Sequence, residues 1–266
     1  MKEKSKIIAL FTIGVFAASS LVGAVLVADG FDYDDGPLAG QGDWARGVNN
    51  PTSDNPSDHI AVQDGWVRFD WTTTDSINNV VRQIWPTGDA VETGMIYAIF
   101  DFRATQAPQS ESDVRPGFLS FGDGTGSQQR GFVGLQPGSE PDTLQLGVAP
   151  ATQLGTGYTY ATDLSLNTVY TVMVGFDTEN QDTSLWLGTT NPNAVPAITV
   201  AGSGSNNGIR RLNLRLYNSD GAGGTTNLGI FEIDNLVVTT IPEPRVYAAL
   251  AGLLAMGLVL LRRRRR

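Results

Sequence analysis

The sequence predicts an all-β body, two antiparallel sheets packed face to face, carried between two apolar ends. Three observations predict it. Period-two alternation recurs along the body, most cleanly in Arg211-Leu212-Asn213-Leu214-Arg215-Leu216-Tyr217, where the three leucines share one face and Arg211, Asn213, Arg215 and Tyr217 share the other. Clusters such as Gly122-Asp123-Gly124-Thr125-Gly126, Gln136-Pro137-Gly138, Thr178 to Asp182 and Asp220-Gly221-Ala222-Gly223-Gly224 supply the backbone freedom and local side-chain bonds of tight reversals. Nowhere in the body does an apolar 3.6-residue period persist for three turns, so no helical layer is available to cover a sheet.

The first element, residues 1–24, reads as a secretory signal peptide. Lys2, Lys4 and Lys6 precede the apolar stretch Ile7 to Ala18, and Val22-Gly23-Ala24 presents the small residues that signal peptidase reads. The mature chain is then expected to begin near Val25. Leu26-Val27-Ala28 is a second, less suitable cleavage point, and Ile7 to Val27 is long enough to serve as an uncleaved anchor. Either arrangement places the body outside the cytoplasm.

The second element, residues 25–240, is one domain of about 215 residues, long enough to bury a core without covalent staples. It needs to, because the chain has no cysteine; disulfides, thiolate metal sites and thiol nucleophiles are excluded together. The body holds nine arginines, no lysine and 25 acidic residues, a net charge near −16 against −9 for the whole chain. Such a surface repels nucleic acid and anionic membrane, and suits divalent cations or neutral glycans. Strands are expected at Trp66 to Trp71, Met95 to Phe102, Gly117 to Phe121, Gly131 to Leu135, Thr143 to Val148, Val169 to Phe176, Ser184 to Leu187, Arg211 to Tyr217 and Ile230 to Val238.

Within this body, Asp29-Gly30-Phe31-Asp32-Tyr33, then Gly36-Pro37-Leu38-Ala39-Gly40-Gln41 and Trp44, resemble the opening of concanavalin-like (laminin G or lectin-like) domains. Leu166 to Leu187 and Glu232-Ile233-Asp234-Asn235-Leu236-Val237-Val238 resemble their closing strands. The resemblance implies a concanavalin-like jelly-roll sandwich whose concave sheet holds glycans.

The third element, residues 241–266, joins Ile241-Pro242-Glu243-Pro244 to an uncharged run from Val246 to Leu261 and to Arg262, Arg263, Arg264, Arg265 and Arg266. The prolines hold the segment around Glu243 extended. A helix of the 16 apolar residues spans about 24 Å, short of the roughly 30 Å hydrocarbon core by an amount that snorkelling arginines cover. It therefore reads as a transmembrane helix, and the arginine cluster as its cytoplasmic stop. This order of parts resembles the PEP-CTERM sorting signal of bacterial surface and exopolysaccharide-associated proteins. The resemblance implies that an exosortase-type enzyme processes the chain at Pro242, Glu243 and Pro244. Destination at the cell surface or extracellular matrix follows, with exopolysaccharide as a candidate partner.

Residues for chemistry are few. In laminarinase-like glycoside hydrolases, which share the jelly roll, Glu-x-Asp-x-x-Glu lies on one strand; Glu232 and Asp234 match its first two positions, but position 237 is valine. His59 is the only histidine, and its flanks read as a loop entering a strand. Asp177, Glu179 and Asp182 in one turn, and Asp32, Asp34 and Asp35 near the start, offer hard oxygens that suit calcium; neither matches the EF-hand spacing, acidic turns of this kind are usually solvated, and no cofactor is expected. Trp71 shares the inward face of its strand with Val67 and Phe69, whereas Trp66 falls with Arg68 and Asp70 and is a candidate sugar platform. The expected function is a non-enzymatic lectin-like surface or matrix protein; a laminarinase-like hydrolase and a purely structural or adhesive module are the alternatives.

Overall fold

The computed structural model describes residues 24–46, 60–70, 78–84, 90–108, 117–123, 129–150, 158–202, 208–216 and 229–241. The strands in the first part of the chain are β1 (Val25–Asp29), β2 (Gly36–Pro37), β3 (Trp44–Arg46), β4 (Ile60–Gln63), β5 (Trp66–Asp70), β6 (Asn78–Gln83), β7 (Met95–Gln106) and β8 (Gly117–Gly122). They are followed by β9 (Gln129–Pro137), β10 (Thr143–Ala149), β11 (Thr159–Ser165), β12 (Tyr170–Asp177), β13 (Thr183–Leu187), β14 (Ile198–Val200), β15 (Arg211–Leu216) and β16 (Ile230–Ile241). No helix occurs among the described residues.

These strands form the expected all-β sandwich. One sheet has nine strands in the order β14-β13-β12-β7-β16-β5-β4-β2, with β1 also paired to β16; the other has seven, in the order β11-β10-β9-β8-β15-β6-β3. Every strand pairing is antiparallel. Both sheets contribute to a single apolar core, because each strand turns alternate side chains inward. In β15, Leu212, Leu214 and Leu216 are fully buried there. At the centre, Phe118 of β8 crosses the gap to Phe69, Phe100, Phe102 and Phe231 of the facing sheet, with ring centroids 4.8 to 6.2 Å apart.

Every strand expected from alternation is present, with ends shifted by a few residues. Trp71 and Tyr217, expected as strand ends, lie outside the described residues, as do His59 and Trp85. The missed strands lack the pattern that reveals a strand. β11 keeps only Leu164 buried among seven residues. β1 was indistinguishable by composition from the apolar run preceding it.

The motif around Asp29 has a physical explanation. Its carboxylate accepts hydrogen bonds from the Phe31 amide (2.9 Å), the Tyr33 hydroxyl (2.9 Å) and the Trp44 indole nitrogen (2.9 Å), and it pairs with Arg82. One buried aspartate thus ties β1 of one sheet to β3 and β6 of the other.

The ends of the body lie together. The Ala24 carbonyl accepts hydrogen bonds from the Thr239 hydroxyl (3.0 Å) and the Thr240 amide (3.0 Å), extending the β1–β16 pairing. Cleavage after Ala28 would remove a strand whose Val27 sits in the core, so the earlier site is the one that leaves the sandwich complete. Among the described residues no helix is long and apolar enough to cross a membrane. Residues 1–23 and 242–266, which carry the two expected targeting segments, lie outside the described residues.

Candidate functional site

On β15 the residues between the leucines face away from the core, and in a simple sandwich they would meet solvent. Here they do not. Arg211 is 3% exposed, Asn213 0% and Arg215 6%, and on the neighbouring strand Ser120 is also fully buried. The outer face of the seven-stranded sheet is therefore a buried polar floor, distinct from the apolar core.

Local sequence explains how the floor assembles. Gly122 lies opposite Arg211 in the β8–β15 register, and a Cβ at this glycine would stand 2.7 Å from Arg211 Nε and 2.9 Å from Asn213 Nδ2. The bare glycine lets both side chains settle across β8. Asn213 Nδ2 then donates to the Ser120 carbonyl (3.2 Å) and lies 3.3 Å from its hydroxyl. Gln129, facing Gly122 from β9, accepts from Ser120 Oγ (3.3 Å) and from Arg215 through the same amide oxygen. Buried Asp123 attracts both Arg130 and Arg211, yet desolvation pushes both guanidiniums below their ordinary range.

Two further groups extend this floor toward β11. Tyr158 and Tyr160 stack with centroids 6.0 Å apart and pack with Phe132 and Ala149. Tyr160 lies flat on Gly147, where an added Cβ would come within 2.5 Å of its ring. Beside them runs an amide ladder: Gln136 Nε2 donates to Gln145 Oε1 (2.7 Å), and Gln145 Nε2 donates to Asp163 Oδ1 (2.7 Å). Asp163 also accepts from the Ser139 hydroxyl (2.5 Å) and amide (3.1 Å), and these bonds hold its carboxyl at about 2.

The floor thus combines cations, amides and flat aromatic rings. Guanidinium groups neutralise negative charge, amides read hydroxyls, and tyrosine rings offer apolar faces with a transferable proton at one end. This is the inventory with which proteins hold sugars.

The residues singled out by sequence lie elsewhere. Trp66, half-buried on β5, faces away from the core on the outer side of the nine-stranded sheet, beside Arg68 and Asp70 as alternation indicated. Its ring carries the Arg103 guanidinium 4.2 Å above the centroid. Glu232 pairs with Arg103 and approaches Arg68 (3.8 Å), so it is a buried ion-pair partner. Asp234 accepts from the Asn235 amide (2.6 Å) at a β-bulge where Asn235 has φ 52°. Burial, with the Asp101 and Asp32 carboxylates, pushes Asp234 above its ordinary range, against the pull of that amide. Position 237 opposes neither with a carboxylate. A 560 Å³ open cleft beside Arg68 and Asp70 is bounded by Asp35, Gly36 and Gln63 at the sheet edge.

In the candidate calcium turn, Asp177 accepts from the amides of Glu179 (2.8 Å) and Asn180 (3.1 Å), while Asp182 accepts from the Gly202 amide (3.0 Å). No group of three acidic or histidine side chains among the described residues is arranged to hold a metal. The Asp35 carboxylate accepts from the Asp64 amide (2.9 Å).

Sequence reasoning missed Ser120, Gln129, Arg130, Tyr158 and Tyr160. Their signal was the pairing of Arg211 and Arg215 on the outward face of one strand in a body otherwise poor in cations.

No family model matches the sequence, and no curated protein matches it. Similar folds occur among solved structures. A sialidase superposes with TM-score 0.53 at 14% identity over 82% of this chain, which spans only 18% of that protein. Alginate lyase A1-II′, a member of polysaccharide lyase family 7, covers 71% of this chain and 86% of its own, with TM-score 0.46 and 14% identity. An alginate lyase from Pseudomonas aeruginosa covers 70% and 88%, with TM-score 0.44 and 13% identity. At such identities the likeness is one of fold. It nevertheless corrects the expectation of a non-enzymatic body: the sialidase with this sandwich is by name an enzyme, so the jelly-roll architecture gives no ground for setting catalysis aside.

Proposed function

We propose that this chain is a carbohydrate-active β-sandwich that holds a glycan on the outer face of its seven-stranded sheet. The observation that carries the reading is the buried polar floor, in which Arg211, Asn213, Arg215 and Ser120 are withdrawn from water, bonded through half-buried Gln129, beside the stacked Tyr158 and Tyr160. Burying so many polar groups costs free energy unless they serve a ligand or a network, and part of this network is unsatisfied. Its mixture of donors, acceptors and flat rings suits a sugar, and the sialidase of similar fold is by name a carbohydrate-acting protein.

The test is a panel of polysaccharides scored for binding and for release of new chain ends. Arg215→Ala and Gln129→Ala are expected to weaken binding about tenfold, the scale of a lost charge-assisted hydrogen bond. Trp66→Ala, on the opposite sheet, is expected to leave it within about twofold. Equal loss from Trp66→Ala and none from the floor variants would move the site to the other sheet.

The same proposal includes export by the N-terminal signal and sorting by the PEP-CTERM-like segment to the cell surface or extracellular matrix. The arrangement of the body supports it, because Ala24 and Thr240, where the two flanking segments join the sandwich, are hydrogen-bonded neighbours. Mass analysis of the mature protein is expected to find Arg262 to Arg266 removed, and replacing Pro242, Glu243 and Pro244 together with alanine to retain them. A mature wild-type protein still ending in the five arginines would contradict the sorting reading.

A further inference from the structure

We propose, resting on the membrane-anchor reading of the C-terminal run, that an apolar row on the outer face of the nine-stranded sheet lies against zwitterionic lipid at the surface where the tail inserts. Strand register sets Ala28, Val237, Ile99, Met173 and Trp186 side by side across β1, β16, β7, β12 and β13, and their strand neighbours Val27, Val238, Ala98, Val172 and Leu185 take the inward positions in the core. The free face of an antiparallel sheet is ordinarily polar. The other half of this same face is, with Arg68, Asp70, Arg103 and Glu232. An apolar row five strands wide therefore marks a surface that meets something other than water.

Part of the row is covered by the chain itself. Met95, Tyr97 and Trp186 close over Gly175, where an added Cβ would stand 2.9 to 3.0 Å from all three. Residues 188–197 strap this end: the Trp186 indole nitrogen donates to the Ala194 carbonyl (2.8 Å), and Ala194 packs on the cluster. Toward β1 the cover stops. Ile99 and Val237 are half-buried, Ala28 is exposed, and Val25, beside Thr239 in the next row, is 63% exposed.

The point where the chain leaves the sheet identifies what meets this open end. β16 ends at Ile241 in register with Met95, on the rim of the patch, and the apolar run begins at Val246, five residues on. Five extended residues reach at most about 18 Å. A tail inserted in a bilayer thus holds the rim of the patch within that distance of the lipid, and laying Val25, Ala28, Ile99 and Val237 against it removes their apolar surface from water. Carboxylates bound the row on both sides: Asp177 stands opposite Met95, and Asp101 accepts from the Thr171 hydroxyl (3.1 Å) and the Asn235 amide (3.0 Å). On a body of net charge near −16 they repel anionic headgroups, so zwitterionic lipid is the surface that fits.

Because the chain has no cysteine, a single introduced one carries a fluorophore without background. Ala28→Cys on the row and Glu140→Cys, an exposed position in the turn between β9 and β10, are each labelled in the full chain reconstituted in phosphatidylcholine vesicles. The Ala28 label is expected to be quenched by lipid with brominated acyl chains at least about threefold more than the Glu140 label, and to be shielded from aqueous iodide. Val25→Cys gives a second position should the first disturb β1. Equal iodide quenching of the row and control labels, in protein that stays with the vesicles through a high-salt wash, would overturn the proposal and leave the anchor reading standing. Shielding from iodide without quenching by brominated lipid would overturn it in favour of a second copy of this chain on the row. Protein washed off the vesicles would overturn the anchor reading, and the proposal with it.

Discussion

Replacing Asp29 with alanine is expected to destabilise the protein by about 3–5 kcal/mol, the range for breaking a buried charged pair by removing one partner. The substitution strands three donors at once, the Phe31 amide, the Tyr33 hydroxyl and the Trp44 indole, and leaves Arg82 without its buried counter-charge. For a body of this size the midpoint of thermal unfolding should fall on the order of 10 °C. Asp29→Asn, which keeps an acceptor but not the charge, should lie between. A loss below about 1 kcal/mol for Asp29→Ala would mean that the two sheets are not joined through this residue.

Phe118→Ala should cost a similar amount, about 3–5 kcal/mol, by a different route. Phe118 is fully buried and meets four phenylalanines of the facing sheet, stacking against Phe102 (27°) and standing edge-on to Phe100 (87°). Truncation would open a cavity walled by rings held on β5, β7 and β16, which cannot collapse without moving both sheets. Denaturant unfolding checks it: the midpoint should fall with the slope unchanged. Phe118→Leu should recover part of the loss, and an effect no larger than a surface change would place the core elsewhere.

The sandwich was legible because β15 and β16 set apolar residues on one face against polar ones on the other, and period-two alternation registers that asymmetry directly. β6 and β11 escaped notice because their outward positions and strand ends are polar, leaving too few apolar residues to set a period. The site was less legible for a related reason. Alternation separates core-facing from outward-facing residues, but it does not separate solvent from a second buried surface. Arg211, Asn213 and Arg215 were sorted outward correctly, yet they are buried. Trp66 illustrates the converse. It also points outward, but Arg103 is drawn over its ring while pairing with Glu232, a contact across β5, β7 and β16 that no local pattern encodes.

The central claim is that a glycan occupies the outer face of the seven-stranded sheet, and backbone-amide shift mapping with a bound oligosaccharide tests it most directly. The largest perturbations are predicted at Ser120, Gln129, Asn213 and Tyr160, on four neighbouring or near-neighbouring strands of that sheet. Perturbations centred instead on Trp66, Arg68 and Glu232 would place the ligand on the opposite sheet and contradict the claim.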